Sequence, residues 1–314
     1  MYKLISSFSI ALLMGCSTVS TTSYAVPPEG LSQRDLQSPA KTLAGAGFVT
    51  NEAKQLLEFC IELNNQDDRA KSNAAEFLAK PEGWEIVFDS RNPANHEWNK
   101  KLPKPVIGAD PNNPETNGFG PFNNAWLLLK STSDTNQYAI AIRGTVGEVD
   151  SIMADAFVTT VAARNGISLQ DKVFPISFAV TPKAELHSGF AYAAFTLLFD
   201  KELGILKKLH DVGLPENAKL FITGHSQGAA IATLVHSFFY YALTDSNDRY
   251  QLKLHLKQGD SNGVQLKSYL FAQPKPGNLQ YAEDFARITK DVSYTINNSR
   301  STSTIDYTIS LRSD

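Results

Sequence analysis

Cysteine is nearly absent: Cys16 and Cys60 are the only two in 314 residues. This excludes a disulfide-stapled scaffold and any cysteine-rich metal centre. A basic surplus is absent too. Lys and Arg number 29 against 32 Asp and Glu, a formal charge of −3, whereas a protein that neutralises a phosphate backbone needs a clear excess of cations. No nucleic-acid partner is expected. The chain has no internal repeat and no apolar run of the ~20 residues that cross a bilayer. It has no phosphate loop, dinucleotide fingerprint or metal-ligand spacing, so no cofactor and no metal is expected. Histidine is scarce: His96, His187, His210, His225, His236 and His255 are the full set. What remains is an ordinary globular composition, 42% hydrophobic and 19% charged, long enough for one large domain or two small ones.

Residues 1–25 read as an export signal. Lys3 precedes an apolar core, Leu4 to Gly15, too short to span a membrane and suited to a signal h-region. Two processing sites compete. Leu13-Met14-Gly15-Cys16 resembles a bacterial lipobox, with Cys16 lipidated, and is the preferred pattern; Ser23-Tyr24-Ala25 is a small-x-small peptidase site. The protein is therefore expected outside the cytoplasm, as an outer-membrane lipoprotein, in the periplasm or secreted. Cys60 sits among Leu56, Leu57, Phe59 and Ile61 and reads as a buried apolar residue.

Residues 26–83 form a linker and helical lead-in: Pro, Gly and Ser dominate 26–48, and apolar residues recur at helical spacing from Thr50 to Lys80. Trp84 to Phe88 reads as a strand and 103–124 as a long loop. Ala125 to Lys130 and Tyr138 to Arg143 read as an antiparallel hairpin. Helical patterns lie near 150–163 and over 189–211. From residue 219 the order is strand (Lys219 to Thr223), helix (Gln227 to Tyr241), strand (Leu266 to Ala272), helix (Leu279 to Lys290), strand (Val292 to Asn297). That alternation predicts parallel crossovers and an α/β fold.

The strongest chemical signal is Gly224-His225-Ser226-Gln227-Gly228-Ala229. A serine held in a tight strand-to-helix turn needs tiny residues two positions either side, because side chains there would collide. Gly224 and Gly228 meet that need. The turn would lift the Ser226 hydroxyl to the N-terminus of the next helix, where the dipole and N–H groups favour a developing anion. The second signal, Arg143-Gly144-Thr145, ends the strand Tyr138 to Ile142. It can offer a backbone N–H and a hydroxyl, with the Gln227 N–H completing an oxyanion hole. Alone it is an ordinary strand-to-loop turn.

Four blocks then occur in order: Tyr138-Ala139-Ile140-Ala141-Ile142-Arg143-Gly144-Thr145, His187-Ser188-Gly189-Phe190, Ile222 to Ala229, and Phe271-Ala272-Gln273-Pro274-Lys275-Pro276-Gly277-Asn278. With these the chain resembles the class 3 (fungal-type) lipases over residues 84–298. The resemblance implies an α/β-hydrolase fold with a mostly parallel central sheet, and hydrolysis of lipid or small carboxylic esters through a Ser-Asp-His triad. It places Ser226 on the nucleophile, Thr145 and Gln227 on the oxyanion hole, and His187 in a structural role. It also implies a lid over Val146 to about Lys183, with Ile152, Met153, Phe157 and Val158 on one side of a helix. That helix either opens at a membrane surface or is simply packed on the core.

One part of the family pattern is not met. An Asp followed by Val-Pro is expected after the last strand, but Asn297-Asn298 runs into Ser299-Arg300-Ser301. No histidine follows that strand either. Residues 299–314 read as an aberrant tail, half Ser and Thr. The expectation is an α/β-hydrolase with its C-terminal part missing, through an insertion or deletion near codons 298–300. Two functions stay open: an exported lipase or esterase acting through Ser226, and a catalytically inactive homologue without the triad Asp and His.

Overall fold

The computed structural model describes residues 47–64, 82–92, 118–120, 122–144, 159–164, 166–169, 172–258 and 261–297. Thr50–Asn64 forms helix α1, and Trp84–Asp89, Trp126–Ser131 and Gln137–Ile142 form strands β1, β2 and β3. Short strands follow: β4 (Thr160–Ala162), β5 (Ile167–Leu169), β6 (Lys172–Phe174) and β7 (Glu185–His187). Helices α2 (Ser188–Phe199) and α3 (Ile205–Val212) come next. The rest alternates as β8 (Lys219–His225), α4 (Gln227–Thr244), β9 (Gln265–Phe271), α5 (Leu279–Ile288) and β10 (Ser293–Ile296).

The six long strands form one sheet in the order β1-β2-β3-β8-β9-β10. β2 runs antiparallel to both its neighbours, β1 and β3, and forms a hairpin with β3. The β3–β8, β8–β9 and β9–β10 pairs are parallel, so the sheet is mostly parallel, as expected. The central strands are apolar on both faces because both faces are covered. With the two-residue period of a strand, Trp126, Leu128, Ile140, Ile142, Leu220 and Ile222 point into one core. Leu127, Leu129, Ala139, Ala141 and Phe221 point into the other.

Helix α1 closes the second core. Leu56, Phe59, Cys60 and Leu63 are buried there, and Phe59 meets Trp84 edge-on at 5.3 Å. Ala139 and Ala141 present little bulk under it, which lets the helix approach the sheet. Each large side chain buried this way contributes about 1.5–3 kcal/mol. Cys60 belongs to this core: its thiol lies 3.5 Å from Thr223 Oγ1, and burial pushes its pKa up to about 12. It is a packing residue, not a thiolate.

Helix α4 is buried on nearly every side up to Phe239. It is sandwiched between the sheet and α2, and a helix apolar all round is what that position requires. The helical pattern over 189–211 splits into α2 and α3. Asp200 interrupts it, its carboxylate accepting from Glu202 N and Leu203 N at 2.9 and 2.8 Å. The helical pattern near 150–163 is corrected at its end: residues 160–162 are a strand paired antiparallel with β7. Pairing with β7 overrides a local periodicity too short to hold a helix. The described remainder of the expected lid, up to Lys183, holds a second small ribbon, β5 with β6. Ile152, Met153, Phe157 and Val158 lie outside the described residues, as do 1–46 and the tail from 298.

Candidate active site

The turn at Ser226 has the strained geometry its sequence predicts. Ser226 sits at φ 52° and ψ −126°, a region costing of order 1–3 kcal/mol for a non-glycine residue. Two hydrogen bonds of the turn hold it there. Its N–H donates to Phe271 O at 2.9 Å, and its carbonyl accepts from Ala229 N at 2.9 Å. The flanking glycines are obligatory on steric grounds. A Cβ on Gly224 would stand 2.3 Å from Gly228 O, and one on Gly228 would stand 2.4 Å from Ile142 O and 2.6 Å from Arg143 O. The second of these contacts also brings the two sequence motifs together. The first turn of α4 lies directly against the C-terminal end of β3, where Arg143-Gly144 begins.

Ser226 is half-buried and Gln227 is buried beneath it. Gln227 opens α4, at a position where a backbone N–H has no intrahelical acceptor. Thr145 lies outside the described residues. Arg143 anchors the strand end that leads to it. Its N–H donates to Ala125 O at 2.9 Å and its guanidinium to Asn123 O at 2.7 Å. Burial, then the neighbouring Arg91, presses its pKa down to about 9, which leaves it charged at neutral pH. Beside it Arg91 and Asp89 form a buried two-point pair at 2.8 Å. Sequence reading passed over this cluster. Its signal was a charged residue at the end of an otherwise apolar strand.

The β9 end and β10 are tied to the turn. Ala272, at φ 50°, donates its N–H to Ile296 O at 2.9 Å. Gln273 spans two elements: its Nε2 donates to Thr233 Oγ1 of α4, and its Oε1 accepts from Thr295 Oγ1 of β10 at 3.0 Å. The Pro276-Gly277-Asn278 block is a joint. A Cβ on Gly277 would stand 2.4 Å from Glu185 O. Asn278 Oδ1 caps α5 by accepting from Tyr281 N at 3.0 Å and also accepts from Glu185 N at 3.1 Å. His187 belongs to the same joint, its N–H on Pro276 O at 2.9 Å and its ring 4.5 Å from Phe190. That is the structural role the resemblance implies.

Among the described residues no side chain hydrogen-bonds the Ser226 hydroxyl. His225 is half-buried, and burial lowers its pKa. His236 is fully enclosed on α4, with Nδ1 on Ser268 Oγ at 3.1 Å. His255 Nε2 meets Asn262 O at 2.8 Å, and His210 lies on the exposed side of α3. His96 and the residues after β10 lie outside the described residues. Among the described residues no cluster of His, Cys, Asp or Glu is arranged to hold a metal ion.

Comparison with known proteins was made on sequence and on structure. No curated protein sequence matches significantly. Among solved structures, M37 lipase is 19% identical, with 80% of this chain and 67% of that chain covered at a TM-score of 0.50. The triacylglyceride lipase of Rhizomucor miehei is 15% identical, with 81% and 73% covered at 0.45. The Lip2 lipase of Yarrowia lipolytica is 15% identical, with 82% and 74% covered at 0.45. The sequence profile of the family described as "Lipase (class 3)" matches residues 139–301, slightly more than half of the chain. By that match, and by a fold shared with M37 lipase, the chain belongs to the class 3 lipase family and has the α/β-hydrolase fold.

Proposed function

We propose that this protein hydrolyses carboxylic esters of lipids or small alcohols, with Ser226 as nucleophile. The observation that carries the reading is the strained backbone of Ser226, at φ 52° and ψ −126°, between Gly224 and Gly228. In the reaction Ser226 Oγ bonds to the ester carbonyl carbon and the bond to the alcohol oxygen breaks. The serine proton leaves with the alcohol. Water then adds to the acyl-serine carbon, the bond from that carbon to Ser226 Oγ breaks, a water proton returns to Oγ, and the acid is released. The carbonyl oxygen carries the transient negative charge, and the Gln227 N–H and Thr145 are the donors assigned to it. Lipid esters gather at lipid surfaces, so contact with a membrane surface belongs to the lipid form of this reading, and a small ester needs none. The N-terminal signal pattern supports export, and the mass of the mature chain decides between a lipid on Cys16 and cleavage after Ala25.

A second reading rests on a separate observation: none of the described histidines reaches Ser226. A serine with an oxyanion hole and no base retains part of its catalysis, roughly 10³–10⁴-fold over water in a protease with a triad member removed. On this reading the chain binds esters and turns them over slowly. Hydrolysis of p-nitrophenyl butyrate and labelling by a fluorophosphonate separate the readings. Fast turnover and labelling, both abolished by Ser226→Ala, support the enzyme. Slow labelling confined to Ser226 with near-background turnover supports the second. Equal rates in wild type and Ser226→Ala end the assignment of Ser226.

A further inference from the structure

The parallel strands β3, β8 and β9 begin at Gln137, Lys219 and Gln265 and run toward the Ser226 turn. Their starting edge is therefore at the far end of the sheet, roughly 20 Å from Ser226 at ~3.3 Å per residue. A cavity of about 270 Å³ lies along that edge. Part of its wall is apolar, from Leu220, Leu256, Leu266, Ile288 and Val292. The polar part of the wall holds four lysines, Lys219, Lys257, Lys267 and Lys290, and one carboxylate, Glu52.

Two of these lysines are matched. Lys219 pairs with Asp134 at 3.0 Å and Lys267 with Glu52 at 2.6 Å. Among the described residues Lys257 and Lys290 have no carboxylate partner, so two positive charges of the described lining are unbalanced. Two buried polar atoms there also lack partners. His236, which is fully enclosed and lines the cavity, has no partner on Nε2, and Gln265 has none on Oε1. Orphaned buried polar groups are rare in folded proteins and mark an absent ligand or water.

We propose that this cavity is a binding site, separate from the Ser226 turn, for a carboxylate-headed amphiphile of the medium-chain fatty-acid class. Lys257 and Lys290 take the carboxylate, and the Leu220, Leu256 and Val292 wall takes the alkyl chain. Ester hydrolysis releases acids of this class, yet the site does not depend on this chain's own activity.

The test is calorimetric titration of the full chain with sodium octanoate below its micellar concentration. Octanol and inorganic phosphate serve as comparison ligands. Lys257 is half-buried, Lys290 is exposed, and neither is paired among the described residues, so Lys257→Gln/Lys290→Gln is expected to fold. Its thermal melt checks that. The expected result is octanoate binding that weakens at least tenfold in the double variant, falls with added salt, and persists in Ser226→Ala. Undetectable octanoate binding, or equal affinity in the double variant, overturns the site. So does octanol or phosphate binding as tightly as octanoate. Binding lost in Ser226→Ala instead places the ligand at the nucleophile and also overturns it. Failure here leaves the assignment of Ser226 untouched, since that assignment is read by labelling and turnover.

Discussion

Gly228 lies so close to Ile142 that a Cβ on the glycine would stand 2.4 Å from the Ile142 carbonyl oxygen. The neighbour is backbone in the middle of a sheet and cannot swing aside as a long side chain would. Gly228→Ala must therefore push α4 away from the end of β3. Such forced overpacking costs about 1–3 kcal/mol, and the shift would fall on the link between Arg143-Gly144 and Ser226. The expected outcome is a lower urea midpoint together with loss of fluorophosphonate labelling. Ala229→Gly, one residue on, should lose stability by the opposite route, a missing buried methyl and the helix cost of glycine, while keeping most of the labelling. Undiminished labelling in Gly228→Ala would show that β3 and the turn need not touch.

Asp284 fastens the segment before β7 to α5. Its side chain is fully buried against Arg287, at 3.0 Å. Its Oδ1 accepts from Thr181 N at 3.0 Å and Thr181 Oγ1 at 2.7 Å, and its Oδ2 accepts from the Tyr241 hydroxyl. Burial alone would raise its pKa, but the donors from Tyr241, Thr181 and Arg287 outweigh burial and lower it. A carboxylate with a depressed folded pKa gives stability that is complete above the unfolded value of ~3.9 and is lost as pH falls through the folded value. Asp284→Ala should cost about 1–3 kcal/mol near neutrality, because it strips the Thr181 and Tyr241 donors of their acceptor while the half-exposed Arg287 returns to solvent, and should flatten the acid limb of stability below pH ~4. Urea titrations at several pH values check both. Trypsin should also cut sooner after Lys183, whose carbonyl is held by Asn278 Nδ2 at 2.8 Å.

What the sequence made legible follows from range. The Ser226 turn depends on residues two positions apart, and its glycines state the constraint locally. The apolar run Leu220-Phe221-Ile222 marks β8 as a strand buried on both faces, whereas β9 hides the same burial behind Lys267 and Ser268, whose partners Glu52 and Ser293 lie elsewhere in the chain. Asp284 could not be read this way, because its partners at Thr181 and Tyr241 lie far off in sequence. The strands β4 to β6 were missed for a different reason. Three residues are too few to show a period of two, and only their ribbon partners define them. The Arg143 cluster is not legible either, because the partners of Arg143, at Asn123 and Ala125, lie on a different segment of the chain.

His236 should make the protein acid-sensitive above the range where carboxylates titrate. Burial pushes its imidazole down to about 3, while an unfolded histidine titrates near 6.5. The unfolded chain therefore binds a proton that the folded chain refuses. Stability is complete above pH ~6.5 and falls by up to about 1.4 kcal/mol per pH unit below it. His236→Phe should remove that slope between pH 6 and 4. The ring already neighbours Phe285 at 5.7 Å, and Ser268 Oγ keeps Ser293 Oγ at 2.6 Å as a partner. Thermal melts across that range are the measurement. An unchanged slope in the variant would assign the acid loss to other groups.

Ser226→Gly should make the protein more stable while ending its reactivity. The backbone at φ 52° and ψ −126° lies where glycine is at ease and serine is not. Of the 1–3 kcal/mol such a conformation costs, glycine recovers most, less the entropy it adds to the unfolded chain. A gain of about 1 kcal/mol raises Tm by roughly 2–4 °C in a chain near this size. Ala272→Gly, at φ 50°, is the control, since it relieves strain beside the turn but removes no nucleophile. Both variants should melt higher than wild type, and only Ser226→Gly should lose labelling. A lower melting temperature in Ser226→Gly would mean that the serine side chain contributes more to packing than its backbone costs. The strain could then no longer be read as the mark of a nucleophile.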